Sequence, residues 1–279
     1  MTEPNWAELW RELSARVRRP EREGQSEGGH RREGAREERA AHFDAAVKRN
    51  GLERPDTLLD FVVAKLRPED TVLDIGAGTG HFAIPFARVA RSVTAVEPSP
   101  SVAALLRKNA AAEGLTNIHL VDAGWEDAQV APHEVAFCSH AMYSSLDLVG
   151  FVRKMEWAAR KCCFLVMRMP SHDGVMRELS RHIHGQPHDS PNYWVGYKVL
   201  YEMGIYANVV MEPLVRCWTD DNLDDALKRA RRHLRLGDST AYDDVIRETL
   251  ARRLTFRDGR YYWPDGMRSA MTWWEPSRR

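Results

Sequence analysis

Two acidic residues and three glycines mark the first place in this chain where chemistry could be done. Asp74 lies in a short apolar run, Thr71-Val72-Leu73-Asp74-Ile75, and Gly76, Gly78 and Gly80 follow at alternate positions, with Ala77 and Thr79 between them. Glu97 stands at the end of a second apolar run, Val93-Thr94-Ala95-Val96, and is followed by Pro98. A short apolar run with β-branched residues reads as a buried parallel strand. The glycines let the backbone turn sharply and approach a ligand closely. The helical stretch from His81 towards Val89 would present free N–H groups at its start. Strand, glycine turn and helix form a nucleotide-binding arrangement.

The spacing narrows the ligand. A dinucleotide fingerprint needs G-x-G-x-x-G, but here the third glycine position is His81 and the pattern is G-x-G-x-G. Asp74, two residues before the first glycine, would repel a pyrophosphate and suits an amino group or a positive charge. Glu97 is spaced to hydrogen-bond both hydroxyls of a ribose. An adenosine-like ribose with a cationic amino-acid part and no diphosphate describes S-adenosylmethionine.

Val72-Leu73-Asp74-Ile75-Gly76-Ala77-Gly78-Thr79-Gly80, with Ala95-Val96-Glu97-Pro98-Ser99, resembles motifs I and II of the class I S-adenosylmethionine-dependent methyltransferases. The resemblance covers roughly residues 40–170 and the remainder only in outline. It implies an α/β fold, a doubly wound, mostly parallel seven-stranded sheet with an antiparallel last strand. It implies S-adenosylmethionine as cofactor, leaving as S-adenosylhomocysteine, held by Asp74, Gly76, Ala77, Gly78, Thr79, Gly80, Glu97 and Pro98. The loop after the third strand, Asp122-Ala123-Gly124-Trp125-Glu126, would lie along the adenine. Asp122 or Glu126 would meet N6, Gly124 belongs to the same loop, and Trp125 either covers the ring or anchors the core. Phe43, in a helical segment from Glu38, could fold over the cofactor or pack in the core.

The carboxyl end of the fourth strand reads Ser139-His140-Ala141-Met142-Tyr143-Ser144. In an open α/β sheet that edge is where ligands sit. Ser139 faces the cofactor, and His140 and Tyr143 are the candidates for chemistry on the methyl acceptor; the bland alternative is a backbone hydrogen bond from His140. His172, His182, His184 and His188 invite a metal reading, but Gly185 and Pro187 interrupt the spacing and no thiolate accompanies them. A substrate-contacting or solvated loop is the better account, and no metal site is assigned.

The elements that must position these groups follow hydrophobic periodicity. Trp6, Leu9, Trp10, Leu13 and Val17 recur at helical spacing, which suits docking on the protein's own body, a cap over the site or a dimer contact. Residues 18–38 are Arg-, Glu- and Gly-rich and read as a linker. Asp56 is an expected N-cap, and helices are predicted over 100–113, 148–160, 192–203, 221–236 and 241–254. Strands are predicted over 92–97, 117–122, 134–138, 161–168, 207–211 and 268–274, with a hairpin turn at Asp258-Gly259. The domain reading is a helix and charged linker (1–39), a Rossmann-like core (40–215), a helical lid or substrate-recognition insertion (216–266) and the final core strand (267–279).

Composition sets bounds. The chain has 279 residues, with 40 Lys+Arg against 40 Asp+Glu. Zero net charge argues against a whole-protein field for nucleic acid or membrane. The basic run at 228–235 could touch RNA but reads better as a solvated face. No apolar run approaches a membrane span and the N-terminus is polar, so a cytoplasmic protein is expected. The four cysteines form no C-x-x-C and read as reduced thiols. The expectation is a methyltransferase acting on a small-molecule acceptor; the alternatives are an RNA or protein methyltransferase and a non-catalytic cofactor-binding subunit.

Overall fold

The computed structural model describes residues 4–17, 56–170, 174–213, 217–264 and 268–277. The expected helix around Phe43 and the linker lie outside these residues. In chain order the helices are α1 (Trp6–Val17), α2 (Thr57–Val63), α3 (Ala83–Ala87), α4 (Pro100–Ala112), α5 (Leu148–Trp157), α6 (Val175–His184), α7 (Tyr193–Glu202), α8 (Leu223–His233) and α9 (Asp243–Arg253). The first six strands are β1 (Thr71–Ile75), β2 (Ser92–Val96), β3 (Ile118–Val121), β4 (His133–Ser139), β5 (Ala159–Met169) and β6 (Asn208–Met211). The others are β7 (Thr219–Asp220), β8 (Thr255–Arg257), β9 (Arg260–Tyr262) and β10 (Arg268–Trp274).

Seven strands form one sheet in the order β3-β2-β1-β4-β5-β10-β6, and β10 runs antiparallel to both of its neighbours. The order reverses between β1 and β4, so their carboxyl ends open a crevice at the switch point. Side chains alternate across each strand. Leu73, Ile75, Ala136 and Cys138 point to one face, where α1, α5 and α7 pack. Val72, Val135 and Phe137 point to the other, under α2, α3 and α4. Capping follows the sequence: the side chains of Asp56, Ser99, Asp147 and Asn192 accept N–H groups at the starts of α2, α4, α5 and α7.

Several boundaries differ from the periodicity. The helix after the glycines is five residues, Ala83–Ala87, because positions 76–82 are taken up by the turn. α8 starts at Leu223, capped by Asn222, rather than at Asp221. Asp220 does not serve the helix dipole; it lies in β7 and accepts from the Arg229 guanidinium and the Trp263 indole N–H at 2.7 Å each. Asp258 and Gly259 both have positive φ (49° and 75°), which joins β8 to β9 by the expected two-residue turn.

A second, smaller core joins α8, α9 and Trp263 to Val175 and Leu179 of α6. Glu178 of α6 also pairs with Arg252 and Arg253 of α9. The small unit therefore draws on a helix that the sequence reading had placed with the large core, since the apolar face of α6 turns towards α8 and α9. α1 docks on its own chain. Trp10 and Leu13 are fully buried, and the Trp10 indole N–H donates to the Ser145 carbonyl at 3.1 Å. Among the described residues no helix is long and apolar enough to cross a membrane.

The depth of Trp10 makes α1 part of the cooperative fold. Trp10→Ala should lower the unfolding free energy in urea by about 3–5 kcal/mol. A loss below about 1 kcal/mol would show that α1 is separable from the core.

Candidate functional site

The glycine loop leaves β1 in a conformation that side chains rarely adopt. Gly76, Gly78 and Gly80 have φ of 75°, 57° and 97°. The N–H groups of Gly76 and Ala77 both donate to the Val96 carbonyl, at 2.8 and 3.0 Å, so the loop curls over the end of β2. A Cβ on Gly76 would overlap the Ala141 methyl, whereas a Cβ on Gly78 would meet nothing within 4 Å. The loop is thus packed against the β4 end on one side and open on the other. Ala77 and Thr79 are buried, and the Thr79 carbonyl accepts from Asn109 at 3.0 Å.

Two carboxylates that act on each other flank this loop in sequence, Asp74 in β1 and Glu97 after β2. Glu97 accepts from the Gly78 N–H and the Ser99 N–H, both at 3.0 Å, which fixes its orientation. Asp74 is 2% exposed, and its Oδ2 has no hydrogen-bond partner. Burial, with the charge of Glu97 adding to it, pushes the Asp74 carboxyl up to about 7, against a smaller opposing pull from the Ala83 N–H. An unpartnered buried carboxylate oxygen is costly. A ligand bringing a cation would supply the missing partner, so the residues present fit a cationic group carried on a ribose.

The acceptor-side candidates are brought together. His140 has φ 58°, which is strained by about 1–2 kcal/mol for a residue with a Cβ. Its N–H donates to the Val166 carbonyl at 3.1 Å, and its ring is exposed at the sheet edge. Its Nδ1 lies 3.3 Å from the Tyr143 hydroxyl. That hydroxyl accepts the Arg168 backbone N–H. His140 Nε2 lies 3.4 Å from Ser269 Oγ. The imidazole is thus set between two hydroxyls at the ends of β4 and β10. Burial raises the Tyr143 phenol to about 12, which keeps it a neutral donor. Trp10 of α1 stacks on the Tyr143 ring, with centroids 6.1 Å apart.

The remaining sequence candidates divide. Trp125 is buried, donates its indole N–H to Phe151 O at 3.2 Å and carries Lys154 Nζ 4.6 Å from the centroid of its ring. It is packed against α5. Lys154 also donates to the carbonyls of Trp125, Glu126 and Ala128, which ties the loop down. Asp122 is exposed and pairs with Arg107 at 2.9 Å. Gly124 and Glu126 are neighbours in this loop, Pro98 is exposed beyond Glu97, and Ser139 is half-buried at the end of β4. His172 lies outside the described residues. His184 Nε2 lies 3.1 Å from the Leu234 carbonyl. Among the described residues no group of three or more His, Cys, Asp or Glu side chains could hold a metal ion.

The sequence reading did not single out the network behind Tyr143. The Arg168 guanidinium lies 5.5 Å from the centroid of the Tyr143 ring and donates to Ser190 Oγ at 2.7 Å. Ser190 in turn donates to Asp189, whose other oxygen pairs with His233 of α8. Burial alone would raise the Asp189 carboxyl, but His233, Arg168 and the Ser190 hydroxyl hold it at about 2. The one sequence signal was a charged residue ending an otherwise apolar strand.

Residues 72–161 match the sequence model of a family described as "Methyltransferase domain". An uncharacterized protein of Haemophilus influenzae is 27% identical over 168 residues, which is 58% of this chain and 61% of that protein. The 23S rRNA (uracil(1939)-C(5))-methyltransferase RlmD of Klebsiella pneumoniae is 47% identical over 53 residues, 19% of this chain and 12% of that protein. The chain therefore spans less than two thirds of the length of these curated relatives. The YcgJ protein of Bacillus subtilis superposes with a TM-score of 0.50 at 16% identity, over 77% of this chain and 97% of that one, a likeness of fold. Residues 72–161, which begin within β1 and carry the glycine loop, are thus similar to a methyltransferase domain, and they lie in a seven-stranded sheet whose order reverses between β1 and β4.

Proposed function

We propose that this protein binds S-adenosylmethionine at the glycine loop and transfers its methyl group to a small-molecule acceptor at the edge formed by His140, Tyr143, Arg168 and Ser269. The observation that carries the reading is Asp74, a buried carboxylate in β1 with an unpartnered oxygen, two residues before the glycine loop. When bound, the cofactor supplies a methyl group on a sulfonium, an electrophile that needs no activation by the protein. The chain's own residues bind and orient. Asp74 would take the cationic part, Glu97 the ribose hydroxyls, and the backbone from Gly76 to Gly80 allows close approach. His140 and Tyr143 would hold the acceptor.

The charges of the small unit support a small acceptor over RNA. Its basic side chains are largely taken up by carboxylates: Lys228 by Asp225, Arg229 by Asp220, Arg231 by Asp243, Arg247 by Asp224 and Arg260 by Asp221. Cations paired in this way are poorly placed to neutralise phosphates.

Calorimetric titration with S-adenosylmethionine and S-adenosylhomocysteine should show binding of both, indifferent to EDTA. Asp74→Asn and Glu97→Ala should each weaken it by roughly 1–3 kcal/mol. Unchanged affinity in both variants would remove the assigned cofactor site. His140→Ala should reduce turnover more than cofactor affinity, and the opposite pattern would place His140 on the cofactor side.

The Asp74 shift gives a pH signature. Its carboxyl is raised from 3.8 to about 7 on folding, so its contribution to stability is present below pH 3.8 and lost as pH rises through 7. Asp74→Asn should therefore stabilise the cofactor-free protein more at pH 8 than at pH 5, by roughly 2–3 kcal/mol. Equal effects at both pH values in denaturant unfolding would show that Asp74 is ionised throughout.

A further inference from the structure

We propose that Arg168 is an anion-binding residue and that the methyl acceptor carries an oxyanion, a carboxylate or phosphate, which the guanidinium pairs. This rests on the methyltransferase reading and adds the chemical class of the acceptor.

Three contacts place Arg168 at the acceptor edge. It lies one residue before the end of β5, in register with Ser269 of β10. Its backbone N–H donates to the Tyr143 hydroxyl, and the Ser269 hydroxyl lies 3.4 Å from His140 Nε2. Neutral groups fix the guanidinium: Nη2 donates to Ser190 Oγ at 2.7 Å and to the Pro191 carbonyl at 3.2 Å, and the cation lies against the Tyr143 ring. Ser190 and Pro191 are buried, and Asn192 beside them caps α7, so the groups that hold Arg168 are themselves held.

The arginine is half-buried, and among the described residues no carboxylate pairs with it. Asp189 is its neighbour through Ser190, but that carboxylate is taken by the Ser190 hydroxyl at 3.0 Å and by His233. Its charge and that of Arg168 act on each other only through space. Arg229, Arg247, Arg252, Arg253 and Arg260, in contrast, each contact a carboxylate. A guanidinium presents five N–H groups in a planar fork that matches a carboxylate or phosphate in bidentate fashion. Both side-chain hydrogen bonds of Arg168 to the described residues use Nη2, so the donors of Nε and Nη1 are the ones a ligand would meet. A rigid, partly desolvated cation whose contacts are all neutral is a prepared oxyanion site. The competing reading is a brace for the Ser190–Asn192 turn, which would affect stability and leave ligand charge irrelevant.

The test titrates the S-adenosylhomocysteine complex, confirmed first by calorimetry, with sodium benzoate, benzamide and inorganic phosphate. An anion should saturate the complex and benzamide should not, and whether benzoate or phosphate binds more tightly identifies the oxyanion. Arg168→Gln should weaken anion binding about tenfold or more, with S-adenosylhomocysteine affinity within about twofold of the parent. If Arg168→Gln does not fold, Ser190→Ala, which frees Nη2, should weaken the anion by about three- to fivefold. Equal binding of benzoate and benzamide, no saturation by either anion, or unchanged anion affinity in the variant that folds would overturn the proposal. Failure of S-adenosylhomocysteine itself to bind would overturn the proposed function and this inference with it, and is distinguished by arising before any anion is added.

Discussion

The absence of a side chain at Gly76 is the constraint on which the site depends. A Cβ there would overlap the Ala141 methyl, and φ is 75°. Because Gly76 has none, the end of β1 lies directly against the loop that leaves β4. That contact brings the end of β1, with the glycine loop that follows Asp74, beside the loop holding His140 and Tyr143. The strain at His140, φ 58°, arises in the same turn. A loop forced this way aims the imidazole across β5 to Ser269 of β10, so three strand ends converge on one edge.

The electrostatics of that edge are asymmetric. On the β1–β2 side two carboxylates lie close, and one of them is buried with an oxygen unpartnered. On the β4–β5 side the charged group is a guanidinium held by neutral oxygens. Under the proposed function, a site negative at one end and positive at the other would orient a cationic cofactor and an anionic acceptor with their reactive parts towards each other. Behind Arg168, Ser190 and Asp189 lead to His233 on α8, so the small unit is joined to this sheet edge by hydrogen bonds and an ion pair. α1 approaches the same edge through Trp10, stacked on Tyr143. Two elements remote in sequence thus help to set the position of the phenol.

Much of this was legible in the sequence, because local spacing carries it. The alternation of β1 and β2, the three glycines and the two acids are separated by short chain distances, and their roles follow from backbone sterics and charge. The strands and most helices fall close to their expected ranges. The Asn192 and Asp147 caps and the Asp258-Gly259 turn are likewise local. The surroundings of Trp125 were not decided locally: an indole in a loop can cover a ligand or fill a core, and only the assembled structure brings it against Phe151 and Lys154 of α5. Asp220 reads as a helix-dipole acid until Trp263 and Arg229 are seen around it.

The sequence by itself determined the layered α/β sheet and the glycine loop with its two acids, since both depend on periodicity and on residue types a few positions apart. Tertiary structure alone decided what stands opposite that segment. Arg168, Ser190, Asp189 and His233 are spread over 66 positions of chain, counting from Arg168 to His233. No propensity or spacing rule links them. They meet because β5 ends where the α7 cap turns and where α8 leans in, and that meeting is fixed by packing of separate apolar faces. The hydrogen bonds of these polar groups are a consequence of that packing, so they become visible only once the faces are assembled.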